Sequence, residues 1–288
     1  MSDTETPQAA ASPEAPQPIG DETKAKKSSR AKREDSFAVF VLKLAVIVLI
    51  FRSFFFSPFN IPSESMLPAL ENGDYLLAAK WPYGYSKYSM PFNAPLIPGR
   101  ILGGEPERGD IAIFKHPVDG TDYIKRVVGL PGDSVEMRGG QVILNGTPIP
   151  KVPVEDFRIA VSPNTDCAWG AVVDMAADGS RTCVYKQFKE TLPDGTTYNV
   201  LDFGPTPQDN FPAVIVPDGS MFVMGDNRDN SQDSRFPAIP NGGVGMVPQS
   251  ELVGRASFLM WSTDGSAEWI KPWTWFTAAR WNRLGNGL

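Results

Sequence analysis

Two residues, Ser65 and Lys125, have the types and the local settings of a nucleophile and its base. Ser65 lies in the segment 61–68, and Lys125 lies in the segment 123–129. The chain has one histidine, His116, whose neighbours predict a turn at the surface, so a serine–histidine–acid triad is disfavoured. An unprotonated lysine amine can take the proton of a serine hydroxyl instead. The pair therefore predicts a serine hydrolase that works without histidine.

The setting of Lys125 favours an unprotonated amine. Side chains alternate along a strand, so Tyr123 and Val127 share the face of Lys125 and exclude water from it. Such desolvation lowers a lysine pKa from its usual value of about 10.4. A solvated lysine is the commoner alternative for an isolated strand residue, and the serine segment is equally unspecific by itself. Ser63 and Ser65 are two residues apart, so in an extended segment both hydroxyls lie on one side.

A third segment, GDNRDNSQDSR at residues 225–235, directly follows an apolar run. Its density of donors and acceptors predicts a buried polar network that orients the lysine. A calcium-binding loop is the alternative, because acidic residues and asparagine alternate. The segment lacks the glycine at position six and the glutamate at position twelve of an EF-hand loop, which disfavours calcium.

Composition argues against several other classes of protein. The net charge of −6 and the pI near 5.0 disfavour a nucleic-acid-binding protein. The two cysteines, Cys167 and Cys183, have neither a CxxC nor a Cys/His ligand spacing, so a metal site is disfavoured. Nothing else in the sequence implies a cofactor. They lie in a loop-rich region where an oxidising exterior would allow a disulfide, and two buried free thiols are the alternative.

The N-terminal part of the chain has two zones. Residues 1–35 are polar and rich in Ala, Pro, Ser, Glu and Lys, which predicts disorder. Residues 36–59 are mostly apolar and predict a transmembrane anchor, since a helix of this length, about 34 Å, can cross a bilayer. A cleaved signal peptide is disfavoured because no small-x-small site follows, and a buried soluble helix is the alternative. The basic residues of the flank predict a cytoplasmic N-terminus: Lys24, Lys26, Lys27, Arg30, Lys32 and Arg33.

The remaining residues predict a mainly β fold. Short apolar or alternating runs bounded by glycine and proline occur at residues 74–78, 110–114, 123–128, 141–144 and 220–224. Strands do not alternate with helical segments, so a doubly wound parallel sheet is disfavoured. We therefore expect an antiparallel β-sheet domain preceded by one transmembrane helix.

In five ordered blocks the chain resembles bacterial type I signal peptidase, also called leader peptidase. The blocks are PSESM (62–66), RGDIAIF (108–114), YIKRVVGLPGD (123–133), GDNRDNSQDSR (225–235) and VGRA (253–256). The resemblance covers roughly residues 37–262, and its third and fourth blocks are long and specific. It implies a membrane-bound serine endopeptidase that cleaves N-terminal signal peptides from exported preproteins by a Ser/Lys dyad.

The resemblance implies a role for each residue of the reaction centre. Ser65 is expected to be the nucleophile and Lys125 the general base. Ser63 is expected to donate its hydroxyl to the oxyanion, together with the backbone N–H of Ser65. Ser231 is expected to orient the lysine amine with its hydroxyl.

Further residues are implied to support the centre and to bind substrate. Asp233 and Arg235 are expected to form one ion pair, and Asp226 and Arg126 another. Substrate is expected to bind as an added β-strand, with small residues at the first and third positions before the cut. The walls of the pockets for these small side chains are expected to be Ile61, Pro62 and Ile124.

The resemblance also implies a domain layout and a location. A catalytic core of residues 60–136 and 214–288 is interrupted by a β-rich insertion, 137–213, in which relatives often carry a cysteine pair. The location implied is the bacterial inner (plasma) membrane, with a single span, a cytoplasmic N-terminus and a periplasmic or extracellular catalytic domain. The expected partners are signal peptides of exported preproteins, the lipid bilayer and the neighbouring protein-export channel, with no nucleic acid. One departure is Glu64, where relatives commonly have glycine or another small residue.

Two alternatives remain open. One is a narrower peptidase of the same superfamily that processes a single dedicated substrate. The other is a membrane-tethered β-domain that binds peptides without cleaving them, which the intact Ser65, Lys125 and 225–235 set disfavours. Cleavage of a generic preprotein in detergent would distinguish the three.

Overall fold

The computed structural model describes residues 22–268 and 270–288, with side chains from residue 36 onward. The chain divides into two compact units, Met1–Val48 and Leu49–Leu288, and each is described by itself. Both Ser65 and Lys125 belong to the second unit, which we call the β-unit.

The N-terminal helix, α1, runs from Glu22 to Phe54. Its apolar part, Ser36–Phe54, has 19 residues and a mean hydropathy of 2.4, and at about 28 Å it is long and apolar enough to cross a membrane. The predicted disordered segment, 1–35, is corrected over residues 22–35, which are helical. Lys, Ala, Arg and Glu are strong helix formers, and they extend a helix that the apolar part nucleates. Residues 1–21 lie outside the described residues.

The C-terminal end of the predicted anchor is also corrected. The anchor was expected to continue to residue 59, whereas the helix ends at Phe54 and strand β1 (Phe56–Asn60) follows. Pro58 cannot donate the backbone hydrogen bond that a helix interior requires, and it is tolerated in an edge strand. β1 is such an edge strand of the largest sheet, where Pro58 lies opposite Leu77.

The β-unit is mainly antiparallel β-structure, as predicted. After β1 its strands are β2 (Asp74–Ala79), β3 (Tyr85–Ser86), β4 (Arg100–Ile101), β5 (Ile111–Lys115), β6 (Asp122–Gly129), β7 (Ser134–Arg138), β8 (Gln141–Leu144), β9 (Thr147–Pro148), β10 (Lys151–Pro153), β11 (Phe157–Ala160), β12 (Val172–Met175), β13 (Arg181–Tyr185), β14 (Gln187–Thr191), β15 (Thr197–Leu201), β16 (Phe211–Ile215), β17 (Ser220–Met224), β18 (Val247–Pro248) and β19 (Leu252–Ser262). A second helix, α2, spans Trp273–Ala278. Single 3₁₀ turns lie at Lys87–Ser89, Pro91–Asn93, Pro207–Asp209, Gln249–Glu251 and Trp281–Arg283.

The largest sheet has seven strands in the order β1-β2-β19-β5-β6-β17-β18. Its neighbouring strands pair antiparallel. The central strands are apolar on both faces, since β5 and β17 are buried over nearly their whole length. Burial of this apolar surface fixes β6, and with it Lys125, in a rigid frame.

Residues 137–213, predicted to be an insertion and called the inserted region below, form small sheets, part of which share a core with the large one. The strands of this region form the sheets β10-β14-β15 and β11-β13-β12, and they contribute to β16-β7-β8-β9. Val142 and Val200 of this region pack in one buried cluster with Val128, Phe222 and Met224 of the large sheet. Part of this region therefore continues the core of the large sheet, while Ile159, Cys183, Tyr185 and Leu201 form a second buried cluster with Leu67.

Cys167 and Cys183 form a disulfide, with their Cα atoms 5.3 Å apart. The bridge lies in a small apolar cluster with Ile159, Tyr185 and Leu67. Because Leu67 is two residues beyond Ser65, this cluster also holds the backbone that follows the reactive serine.

Candidate active site

The side chains of Ser65 and Lys125 meet in the β-unit, with Lys125 Nζ 2.6 Å from Ser65 Oγ. Lys125 comes from the middle of β6, and Ser65 from the turn that follows β1. The lysine is 4% exposed and the serine 9% exposed, so water has little access to the pair. A hydroxyl in contact with a buried amine is the arrangement that base-activated nucleophilic attack requires.

Backbone contacts hold the serine segment in place. Ile61 N–H donates to Asp74 O at 2.8 Å and ties the start of the segment to β2. Asn227 donates from its backbone to Ser65 O at 3.1 Å and from its side chain to Glu64 O, also at 3.1 Å. The polar segment that follows β17 therefore binds the two peptide groups that flank the nucleophile, one before and one after Ser65.

Two donors lie beside the nucleophilic oxygen. Ser63 Oγ is 3.4 Å from Ser65 Oγ, and the exposed Ser63 side chain is free to turn toward a ligand. The backbone N–H of Ser65 has no acceptor within residues 22–268 and 270–288. An oxyanion formed next to Ser65 Oγ would meet both donors.

Burial tunes the lysine for proton transfer. Desolvation lowers the pKa of Lys125 to about 8, and Arg235 adds to this lowering. The carboxylates of Asp233 and Asp226 act in the opposite direction and limit the fall of the pKa. The aromatic ring of Tyr123, predicted to share the face of Lys125, has its centroid 5.7 Å from the amine.

The predicted ion pair between Arg126 and Asp226 is formed. Arg126 Nε and Nη2 donate to the two carboxylate oxygens at 2.7 and 2.6 Å, and Nη1 donates to Gly109 O. Arg126 also lies over the ring of Tyr198, 4.3 Å from its centroid. The pair joins β6, next to Lys125, to the start of the polar segment.

Asp233 and Arg235 also form their predicted ion pair. Arg235 Nε and Nη2 donate to Asp233 at 2.9 and 2.8 Å, and Gly225 N–H donates to the same carboxylate at 3.1 Å. Arg235 Nη2 further donates to Arg228 O. These bonds join the two ends of the polar segment, Gly225 and Arg235, through the carboxylate of Asp233.

The predicted contact between Ser231 and the Lys125 amine is absent. Ser231 Oγ is buried and has no hydrogen-bond partner among the described residues. It packs instead against Gly225, where an added Cβ would lie 2.2 Å from Ser231 Oγ and 2.5 Å from Ser65 O. Gly225 thus lets the polar segment approach the reactive serine closely, and the Ser231 hydroxyl makes no hydrogen bond to the amine.

A groove of about 380 Å³ opens onto the reactive pair. The three residues predicted to form its walls, Ile61, Pro62 and Ile124, all line it. Along the β6 side, residues 122–125 pair with β5 only, because β17 ends at Met224 opposite Arg126. The groove is therefore bordered by a free strand edge that can pair with an extended peptide.

The prediction for His116 is wrong. It lies in a turn, but it is 1% exposed, with Nε2 3.1 Å from Gly243 O. Its Nδ1 accepts the Val118 N–H, so Nε2 carries the proton and donates. The ring packs against Tyr123 at a centroid distance of 4.9 Å, and these contacts give it a structural role that its neighbours in sequence do not reveal.

Four residues that the sequence alone did not predict contribute to the site. Asn227 and Gly225 lie in the polar segment 225–235. Their residue types alone did not show that they, and not their neighbours, would contact the serine segment. Arg228 is fully buried and paired with Glu190 of β14 by two hydrogen bonds, of 2.6 and 2.7 Å. No local signal marks Glu190, because its partner is 38 residues away in the chain.

Comparison with known proteins shows what this chain is similar to. A family model described as signal peptidase, peptidase S26, matches residues 35–261. Signal peptidase I from Rickettsia massiliae is 32% identical, covering 93% of this chain and 97% of that relative. Signal peptidase I from Rickettsia typhi is 34% identical over 84% of each chain. The crystal structure of a signal peptidase I from Enterococcus faecalis V583 is 24% identical over 53% of this chain and 97% of that chain, with a TM-score of 0.28.

The family match and the identity to curated relatives define a serine peptidase, a hydrolase. The chain belongs to the signal peptidase, peptidase S26 family.

Proposed function

We propose that this serine peptidase cleaves N-terminal signal peptides from exported preproteins, with Ser65 as nucleophile and Lys125 as general base. The observation that carries the proposal is the 2.6 Å contact between Lys125 Nζ and Ser65 Oγ at the groove. Family membership supports the substrate class, since its relatives are named signal peptidase I.

The geometry supports a two-step acyl transfer. Neutral Lys125 accepts the Ser65 proton while Ser65 Oγ attacks the scissile carbonyl, and the hydroxyl of Ser63 and the Ser65 N–H donate to the oxyanion. The lysine ammonium then gives its proton to the departing amine, which leaves an acyl-enzyme. Water deprotonated by the same lysine hydrolyses the ester and restores Ser65.

The supporting ion pairs are proposed to keep the amine in reach of the hydroxyl. Asp226 holds Arg126 and Asp233 holds Arg235, both with charge-assisted bonds in buried surroundings. Their carboxylates also raise the pKa of Lys125 and so offset part of its desolvation. Without these two carboxylates the Lys125 amine would be neutral at lower pH, but it would be held less firmly beside the Ser65 hydroxyl.

Substrate is proposed to bind as an extended strand along the free edge of β6. Residues 122–125 offer unpaired backbone groups on the groove side, which suits β-strand addition. Ile61 is buried, Ile124 is half-buried and Pro62 is exposed. These walls are packed on a rigid sheet, so we expect room only for small side chains at the first and third positions before the cut.

We place the chain in the bacterial inner membrane as a single-pass protein beside the protein-export channel. The helical part Ser36–Phe54 is long and apolar enough to serve as the anchor in the lipid bilayer. The basic flank of residues 24–33 supports a cytoplasmic N-terminus. The Cys167–Cys183 disulfide supports a periplasmic or extracellular β-unit, since such bonds persist outside the cytoplasm.

The function is tested by cleavage of a preprotein with the full chain in detergent. We expect a preprotein with alanine at the first and third positions before the cut to be processed at one site, and a large residue at the first position to block processing. Ile124→Ala should widen the pocket and relax the third-position preference, measured by competition between two preproteins that differ only there. Absence of cleavage of every preprotein would reject the function, whereas an unchanged preference in Ile124→Ala would reject only this wall of the pocket.

The pH dependence follows from the lowered pKa of Lys125. Because the amine must be neutral to accept a proton, kcat/KM should rise about tenfold per pH unit below 8 and level off above it. A suitable control is Lys80→Met, since Lys80 is also buried with a pKa lowered to about 8 but donates to Tyr88 O away from the groove. The profile should keep its midpoint in this variant. A midpoint near 6.5 that moves in His116→Asn would point to a different base.

A further inference from the structure

Glu64 stands between the two serines of the site and lines the groove. Its backbone carbonyl is held by Asn227 Nδ2 and by Leu67 N–H, both at 3.1 Å. Its carboxylate has no hydrogen bond or ion pair within the part of the chain whose side chains the structure describes. The residue is therefore anchored by its backbone while its charge is left without a partner.

The other groove-lining carboxylate, that of Asp122, has an ion-pair partner. Asp122 is paired with Lys115, with Nζ and Oδ1 2.9 Å apart. The one cation among the described groove-lining residues is Lys125, whose amine has to be neutral for the proposed reaction. The negative charge of Glu64 is thus not balanced inside the groove.

A second carboxylate, that of Asp166, adds to the uncompensated negative charge near Glu64. Burial and the nearby charge of Asp166 both raise the pKa of Glu64. Within the described residues, the one ion pair of Asp166 is an exposed contact with Arg181, at 3.6 Å. A cation brought by the substrate would relieve this like-charge repulsion, and an anion would increase it.

The position of Glu64 tells which part of a substrate it meets. The walls for residues before the cut, Ile61, Pro62 and Ile124, lie on the N-terminal side of Ser65 and on β6. The turn that starts at Glu64 leads instead to Leu67, whose N–H donates to Glu64 O and whose side chain packs with Ile159 and Tyr185 of the inserted region. Burial raises the pKa of Tyr185, and the charge of Glu64 adds to this rise. A peptide that fills the walled part of the groove passes Ser65 and leaves toward Glu64.

We propose that Glu64 is a specificity-determining residue, whose carboxylate selects substrates with lysine or arginine among the first two residues after the cut. The selection rests on the proposed function, because it needs a peptide bound across Ser65. The preference set by Glu64 concerns the residues that become the N-terminus of the mature protein. The small-residue pockets bind residues of the signal peptide, which is removed.

The test uses the full chain in detergent and preproteins that differ only at the first or second position after the cut. Lysine, glutamine and glutamate are compared at each position, and competition assays give the ratios of kcat/KM. We expect lysine to exceed glutamine by about three- to tenfold at one of the two positions, with glutamate below glutamine. The ratio should shrink as salt is raised from 0.05 to about 0.5 M.

Two substitutions assign the preference to Glu64. Glu64→Gln keeps the shape of the side chain and should bring the lysine-to-glutamine ratio close to one. Glu64→Lys should reverse the ratio, so that glutamate is preferred. Asp122→Asn is the matched control, since it removes a groove carboxylate that already has a partner, and it should keep the ratio of the wild-type protein.

The outcomes separate this inference from the function on which it rests. Equal cleavage of the charged and neutral substrates by the wild-type protein, or an unchanged lysine preference in Glu64→Gln, would overturn the role of Glu64. A preference lost in Asp166→Asn but kept in Glu64→Gln would also overturn it. Failure to cleave any of the preproteins would reject the proposed function, and the inference with it.

Discussion

Replacing Ser65 or Lys125 with alanine is expected to reduce preprotein cleavage by at least about 10⁴-fold. The two groups act as a unit, because the hydroxyl at 2.6 Å has no other base in contact with it among the described residues. The double variant should therefore be no worse than either single variant. Lys125→Arg should also be inactive, since a guanidinium does not lose its proton at accessible pH.

Matched controls separate loss of the dyad from loss of the fold. Lys80→Met removes a second buried lysine of similar pKa that does not line the groove, and it should keep cleavage within a few-fold. Thermal unfolding of the Ser65→Ala protein should match that of the wild type. Near-normal turnover in Lys125→Ala would show that the base is another group.

Glu190→Gln is expected to destabilise the β-unit by about 3–5 kcal/mol. The substitution keeps the shape of the side chain but leaves the Arg228 charge buried without its counter-charge, and such a loss costs this much in other buried pairs. For a unit of this size the midpoint of thermal unfolding should fall by roughly 6–20 °C. Circular dichroism of the purified protein in detergent measures the shift.

The control for this substitution is an ion pair at the surface of the same region. Arg158 and Asp174 are paired across β11 and β12, but each side chain is about half exposed. Asp174→Asn should change the unfolding free energy by less than about 1 kcal/mol. If Glu190→Gln were as mild as Asp174→Asn, the buried pair would not be what holds the segment after β17 against the insertion.

The reactive pair could be predicted because three local patterns occur together: the serine segment, the strand of Lys125 and the polar segment 225–235. Neither the serine segment nor the lysine strand is specific by itself. Strand alternation around Lys125 placed Tyr123 on its face, and the structure has the two in contact. The antiparallel class of the fold also follows from local information, namely short alternating runs bounded by turn residues.

Other features depend on contacts between distant parts of the chain, and local patterns do not contain them. The ion pair of Glu190 with Arg228 needs the register of β14 against the polar segment. The burial of His116 comes from Gly243 and Tyr123, which no turn preference reports. The packing of Ser231 depends on the close approach of Gly225 to Ser65, a distance that residue types alone do not set.

Some strands of the insertion bind the polar segment 225–235 and others do not. The two groups of strands should therefore differ in how much their sequence and length can vary between relatives. β14 and β15 carry Glu190 and Leu201, and Leu201 exchanges backbone hydrogen bonds with Asp226 and Arg228. β12, by contrast, is exposed along its length and touches no residue of the dyad. During divergence, natural selection should tolerate deletions and lengthenings around β12 while it retains β14 and β15, so an insertion that varies greatly in size should still keep these two strands.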